Sequence, residues 1–477
     1  MKPSTTLIPH PLEIQALASR LHGFLQAGRD ESVRRGRSLL VSMTVECPPI
    51  LPLSIFHKAR QQPRMFWHQP GDGMAMAAVG LAVSLSGCGE ARFAQAGAAY
   101  RSLVSEARVH ACPSYPLAAP VALGGFAFDP GAPSNPAWES YPDARLMVPR
   151  FLFLAAENDA WCTINVQVSA DCDLHTVAED AIGELAKLMA AEADSIGDRQ
   201  PAIRTPMNGH PGLWEQQVHD IVQAIQRDTV QKVVLARQLH LRAQADFEVG
   251  VALQRLAAAS GHCTLFAIDT GSACMIGATP ERLVRLHGRT VQVDCLAGST
   301  ARGDTEHADR RLGEALLHSD KERREHGLVV RTLREALSSH CVSLHVPDAP
   351  RLLRLPDVQH LHTPLQGTLR AGSSVLNLVA RLHPTPGVGG VPRSAALDLI
   401  REQEVLGRGW YAGPIGWVDA HGGGEFVVGI RSALVRGSEA WLYAGCGIVK
   451  GSDPHREYEE SCLKLRPMLA ALTEKTP

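Results

Sequence analysis

The chain has almost no excess of either charge: 47 lysines and arginines stand against 49 aspartates and glutamates in 477 residues, a formal net charge of −2. A nucleic acid or an acidic membrane surface calls for a one-sided electrostatic footprint, so this balance argues against both partners and for a small-molecule ligand. Paired cysteine motifs are missing too. The eleven cysteines are scattered without CxxC spacing, which offers no zinc site and points to reduced thiols in a cytoplasmic protein. Long apolar runs are absent: Met74 to Leu85 is too short to span a bilayer, and the start, MKPSTTLIPHPLEIQ, lacks the basic residues and apolar run of a secretory signal. A soluble protein is expected. There is no internal repeat, and neither glycine cluster cradles a phosphate. His421 to Gly424 reads as a hairpin turn, and Gly387 to Gly390 follows a helix and two prolines instead of a strand.

What the chain does have is apolar material, 45% of its residues, enough for a sizeable core in a length that suits two domains or one large unit. Residues 1 to about 200 mix short apolar runs with turn signals, among them Ser38 to Thr44, Gly124 to Pro130 and Arg150 to Ala155, and end in a helix through Val177 to Ala191. Asp194 to Gly212, with three prolines and three glycines, is the best linker candidate. The expected division is an N-terminal half over residues 1 to 200 and a catalytic region over 211 to 472, held in one compact unit. Trp214, Val218, Ile221, Val222 and Ile225 form a helical stripe, followed by strands at Lys232 to Leu241, Thr264 to Ile268, Ala273 to Ala278 and Leu283 to Leu296, the last folded at His287-Gly288. Two helices, a strand around His360 and helices at Val375 to Leu382 and Ser394 to Gln403 come next. Three strands follow, Trp410 to Val418, Glu425 to Val435 and Trp441 to Cys446. Consecutive strands joined by hairpin turns, with helices between blocks, predict an α/β (α+β) protein with large antiparallel sheets.

The chemistry gathers at the end of the chain. In SDPHREYEESCLK, Pro454 sits where a first helical turn begins, so Glu457, Glu460 and Lys464 fall on one helix face. The segment KERREH repeats the device with Glu322 and Glu325. If the two helices face each other, four carboxylates converge, and their repulsion demands protons or a hard cation such as Mg²⁺. Each segment alone reads as an ordinary solvated face, Glu460 and Lys464 being a common i,i+4 pair. Lys232 opens an apolar strand, where burial disfavours its charged form and makes a neutral amine available as a base; the ordinary alternative is a lysine snorkelling to the strand end. Glu281, in GATPER, lies at a strand–turn–strand junction, either protonated as a general acid or paired with Arg282. His360 is one of 21 histidines, and a core role is the ordinary reading for it.

Read in order, KVVLAR, GATPERL, LAGSTARG, KERREH, VQHL, RGWYAGPIGW, AGCGIV and SDPxxEYEExxxK resemble the chorismate-utilising enzymes. These are isochorismate synthases, salicylate synthases, anthranilate synthase component I and aminodeoxychorismate synthase. The resemblance covers roughly Leu213 to Leu469 and extends more faintly into the first half through GGFAFDP. Within the family the chain is most similar to the isochorismate synthases of bacterial salicylate and siderophore synthesis. The implied fold is two large antiparallel sheets packed as a sandwich and wrapped by helices, with the site between them.

Residue by residue, the resemblance implies that Lys232 activates water and that Glu281 protonates the departing 4-hydroxyl of chorismate. Glu325 and Glu460 match the principal Mg²⁺ ligands, with Glu322 and Glu457 completing the surroundings. Tyr411, Arg431, the backbone at Gly445 and Lys464 match groups that receive the substrate's carboxylates, and His360 and Ser299 lie beside the ring. Two departures stand out: Ser299 replaces the usual threonine, and Glu322 replaces the aspartate of most isochorismate synthases. Amine-transferring members carry glutamine where Lys232 stands, and aminodeoxychorismate synthases a lysine where Ala297 stands, so water is the implied nucleophile. No glutamine amidotransferase partner is expected, and a separate lyase or isochorismatase would take the product. Salicylate synthases share Lys232, Glu281 and the metal ligands. The loop HPTPGVGG and the long N-terminal half favour isochorismate as the end product, because prolines restrict how that wall closes. A chorismate-binding protein without activity would have lost a catalytic group, and none is lost.

Overall fold

A computed structural model describes residues 11–190, 196–208, 211–405 and 407–473. Two sheets organise it. The larger has thirteen strands, and its order from one edge begins Ile203–Asn208, Lys232–Ala243, Glu439–Ile448, Ser432–Arg436, Cys274–Thr279, Thr264–Asp269, Arg64–Gln69 and Met74–Val79. The smaller has ten, with Val358–Leu369, Thr290–Ala301, Arg282–His287, Gly424–Val428, Pro414–Val418 and Ala122–Phe126 in sequence across it. Pairing is antiparallel throughout except between Leu39–Glu46 and Arg108–His110. The expectation of large antiparallel sheets wrapped by helices is borne out.

The larger sheet is buried on both faces because its side chains alternate between two cores. Leu40, Met65, Ala78 and Leu152 point into the core shared with the smaller sheet. Their neighbours Val41, Phe66, Ala77 and Phe153 point the other way, onto helices that include Pro11–Arg35, Leu174–Met189, Val249–Ala259 and Pro454–Leu472. Strands from residues below 200 pair directly with later ones, Arg64–Gln69 with Thr264–Asp269 and Ala122–Phe126 with Pro414–Val418. Both halves thus build both sheets. Within the stretch read as a linker, Ile203–Asn208 forms an edge strand on Lys232–Ala243, while residues 194–195 and 209–210 lie outside the described residues, as does Ala191.

The chain passes between the sheets at two places that matter for the site. Cys274–Thr279 belongs to the larger sheet and Arg282–His287 to the smaller, with Pro280 and Glu281 at the crossing. Gly424–Val428 and Ser432–Arg436 are split in the same way, with Gly429 to Arg431 between them. Glu425 to Val435 is therefore not one strand, as the sequence pattern suggested. Arg431 breaks it with φ of 50°, a left-handed conformation rare for arginine. The crossings hydrogen-bond to each other, Val428 N–H to Glu281 O at 3.0 Å and Ala278 N–H to Arg431 O at 3.1 Å. Likewise Trp410 to Ala412 form a turn, Ala412 at φ of 60°, and the strand begins only at Pro414.

Candidate active site

Two helix N-termini supply the carboxylates. Asp453 caps Pro454–Leu472 by accepting the Arg456 N–H at 3.0 Å, and Ser319 caps Asp320–Ser338 by accepting the Glu322 N–H at 3.4 Å. Glu457, Glu460, Glu322 and Glu325 all lie in the first two turns, where the positive end of the helix dipole favours anions. The two helices do face a common space. Lys321 Nζ lies 3.8 Å from Glu322 Oε1 and 3.9 Å from Glu457 Oε1, spanning from one helix to the other.

Charge crowding is visible in the titration of these groups. Burial, and then the neighbouring Glu460, pushes Glu457 up to about 7, and burial with Glu325 raises Glu322. Burial acts on Glu460 in the same direction, but the attraction of Lys464, whose Nζ is 2.6 Å away, outweighs it and holds that carboxyl below its ordinary value. Lys464 also donates to the Gly445 carbonyl at 2.9 Å.

An oxygen-only set of carboxylates that repel one another fits a hard divalent cation. Among the described residues, Cys446, Glu457 and Glu460 form a group whose potential ligand atoms all lie within 4.8 Å of one another. Cys446 does not belong in a hard-cation set. Burial keeps its thiol well above the usual range, and its Sγ donates to the Glu457 carbonyl at 3.1 Å.

Lys232 is 2% exposed, which excludes a side chain snorkelling to solvent. Its Nζ donates to Glu325 Oε1 at 2.7 Å, a partner that the sequence reading did not foresee. The approach is close because residue 447 is glycine: a Cβ there would sit 2.9 Å from both Glu325 Oε1 and Lys232 Cε. Glu281 is 5% exposed and does not pair with Arg282. That arginine turns instead to Glu425 at 2.9 Å and Asp294 at 3.4 Å. Burial pushes the Glu281 carboxyl up to about 8 against the pull of Lys232, so it carries a proton at neutral pH.

The same cleft holds groups suited to an anion. Strand pairing between Thr290–Ala301 and Val358–Leu369 shifts register between Leu296 and Ser299, a bulge that sets Ser299 against His360. Ser299 Oγ lies 2.9 Å from His360 Nδ1, and Arg431 Nη2 donates to His360 Nε2 at 3.4 Å. Burial, with Arg431 and Lys464 beside it, pushes His360 well below its ordinary value and keeps it neutral. Arg431 is buried, and among the described residues no carboxylate pairs with it. Tyr411 stacks on Tyr443 with ring centroids 5.0 Å apart, and burial raises its phenol to about 12.

All twelve residues singled out in the sequence line this one cleft: Lys232, Glu281, Ser299, Glu322, Glu325, His360, Tyr411, Arg431, Gly445, Glu457, Glu460 and Lys464. Lys321 and Arg408 line it as well. Neither was singled out in the sequence, although Lys321 opens the KERREH segment and Arg408 opens RGWYAGPIGW.

A family model described as chorismate binding enzyme matches residues 25–473. The chain belongs to the chorismate-binding enzymes. It is 39% identical over 466 residues to the salicylate biosynthesis isochorismate synthase of Pseudomonas aeruginosa, covering 95% of this chain and 94% of that one. It is 39% identical over 353 residues to the isochorismate synthase MenF of Bacillus subtilis, 74% of each chain. The solved structure of MenF of Escherichia coli, a menaquinone-specific isochorismate synthase, superposes with a TM-score of 0.76 at 25% identity, over 94% of this chain and 100% of that chain. No described helix is long and apolar enough to cross a membrane.

Proposed function

We propose that this chorismate-binding enzyme is a Mg²⁺-dependent isochorismate synthase, adding water at C2 of chorismate and releasing the 4-hydroxyl. The observation that carries the reading is the pairing of Lys232, a buried amine, with Glu281, a buried carboxyl protonated at neutral pH, in one cleft. Lys232 takes a proton from water as its oxygen bonds to C2. The two ring double bonds shift, the C4–O bond breaks, and Glu281 gives its proton to the leaving hydroxyl. One water enters and one leaves, so substrate and product are isomers. Arg431 and Lys464 suit the side-chain carboxylate, the first by its fork and the second as a point charge. Tyr411 and Gly445 line the same cleft, with His360 and Ser299 beside the ring.

Glu325 and Glu460 would hold the cation, with Glu322 and Glu457 around it; when bound it supplies positive charge for the ring carboxylate and for the electron density arriving there. Glu325 would then be shared between the cation and Lys232, whose Nζ lies 2.7 Å from its Oε1. Lysine at 232 and alanine at 297 favour water over ammonia, so the enzyme acts without an amidotransferase subunit and hands isochorismate to a separate lyase or isochorismatase, toward salicylate and siderophores. The test is turnover in H₂¹⁸O: isochorismate should carry one ¹⁸O at C2. Product formed without label would overturn water addition.

A further inference from the structure

The cleft borders one buried ion pair that has no part in the chemistry above. Arg408 is 3% exposed and Glu404 8%. Arg408 Nε donates to Glu404 Oε2 at 2.8 Å and Nη2 to Oε1 at 2.6 Å. The other donors go to backbone: Nη1 to the Val388 carbonyl at 2.8 Å and Nη2 to the Val234 carbonyl at 2.6 Å. Glu404 Oε1 also accepts the Ala236 N–H at 2.8 Å. The guanidinium lies 4.2 Å over the Phe128 ring, and the Arg408 carbonyl accepts the Tyr411 N–H at 3.1 Å.

This pair touches three elements at once. Val234 and Ala236 lie on the strand that opens with Lys232. Val388 follows Gly387, whose missing side chain would fall 3.2 Å from Glu281 Oε1. Tyr411 sits on the turn just after. Beyond the pair, strand and loop are joined by backbone bonds such as Gln231 N–H to Val391 O and Val234 N–H to Gly389 O, both 2.7 Å.

A buried ion pair is a weak device for stability, because desolvation offsets the attraction and an apolar pair of similar volume often does as well. What the forked guanidinium adds is geometry, fixed angles to a carboxylate and two carbonyls. We propose that Glu404 and Arg408 are positioning residues that rivet the Lys232 strand to the loop behind Glu281 and so set the base and the acid at their working separation. The proposal rests on the roles given above to Lys232 and Glu281. Four of the five Arg408 N–H donors go to Glu404 and to the two carbonyls, so its part is to hold the protein in place and not to receive the substrate.

The test compares Arg408→Lys, Arg408→Met and the double variant Glu404→Leu/Arg408→Met with the wild type. A single truncation leaves a buried charge uncompensated and should lower Tm; the double variant should recover it. Positioning predicts that the double variant, though stable and with KM for chorismate near the wild-type value, keeps kcat reduced ~10- to 100-fold, the cost of about 1 Å of misplacement. Arg408→Lys, with the charge but not the fork, should show the same loss. Backbone amides of Gln231 and Val234 should exchange hydrogen faster in all three variants. Recovery of kcat together with Tm in the double variant would reduce the pair to a structural one, and a raised KM at unchanged kcat would make Arg408 a substrate ligand; either overturns the proposal. Amide exchange separates this from the functional reading: a wild type inert toward chorismate sinks that reading, whereas wild-type exchange in the variants sinks the rivet.

Discussion

Glu281→Gln should make the protein more stable and nearly inactive, and the gain in stability should grow with pH. Burial moves this carboxyl from the ordinary 4.5 up to about 8. Between those values the unfolded chain has released a proton that the folded chain keeps, so the folded state loses stability as pH rises through the window and levels off above it. The interval of 8 − 4.5 pH units, at 1.36 kcal/mol each, corresponds to on the order of 5 kcal/mol at pH 9. At pH 7 the same reasoning gives on the order of 3 kcal/mol, and at pH 5 less than about 1. Glutamine is neutral and nearly isosteric, so the variant escapes this penalty. Urea denaturation of both proteins at pH 5, 7 and 9 measures the difference, and turnover on the same preparations should fall ~10²-fold or more for the variant, which has no acidic proton to donate. The wild-type rate should itself decline as pH passes about 8 and Glu281 ionises. A stability difference that does not change with pH, or a variant less stable than wild type at pH 9, would refute the buried neutral acid.

Lys232→Ala should lower kcat by ~10²-fold or more with little change in KM, because the amine is assigned to water and not to the carboxylates; steady-state kinetics checks this. Gly447→Ala forces a methyl to within 2.9 Å of Glu325 Oε1 and Lys232 Cε, and should cut kcat at least ~10-fold by displacing both, a loss visible in the same kinetics beside a small change in Tm. Glu325→Gln and Glu460→Gln should each abolish turnover, and chelation should silence the wild type until Mg²⁺ is returned; full activity after exhaustive chelation contradicts the cation site. Arg431→Met should raise KM for chorismate ~10- to 100-fold, the worth of one or two charge-assisted hydrogen bonds, as saturation curves would show.

The sheet architecture was legible because strands and helices keep different periods, and blocks such as Val375–Leu382 are bounded by strong local signals, here a Ser374–Asn377 capping box. The helix Pro11–Arg35 was not, since Gly23 and Gly28 weaken its pattern although Leu21 and Leu25 are fully buried. The break at Gly429 to Arg431 escaped for a different reason. A positive φ at an arginine is imposed by the crossing between sheets and has no compositional signature. At the site, order and motif sufficed to name residues that share a cleft, because each motif fixes the local spacing of its own residues even where, as at Glu281, the chain crosses from one sheet to the other. Glu404 and Arg408 were passed over because an i,i+4 pair reads as a solvated helix face, whereas the helix ends at Gln403 and the pair is buried beyond it. The Lys232–Glu325 contact joins residues 93 apart in the chain, and only the fold brings them together.

The most direct test is to follow the products when purified protein meets chorismate and Mg²⁺ near neutral pH, resolving them by chromatography over time. Isochorismate should build up to a stable mixture with chorismate, from either direction of approach, and added ammonia should yield no aminated product. Prompt stoichiometric release of salicylate and pyruvate, or chorismate left unchanged, would contradict the account.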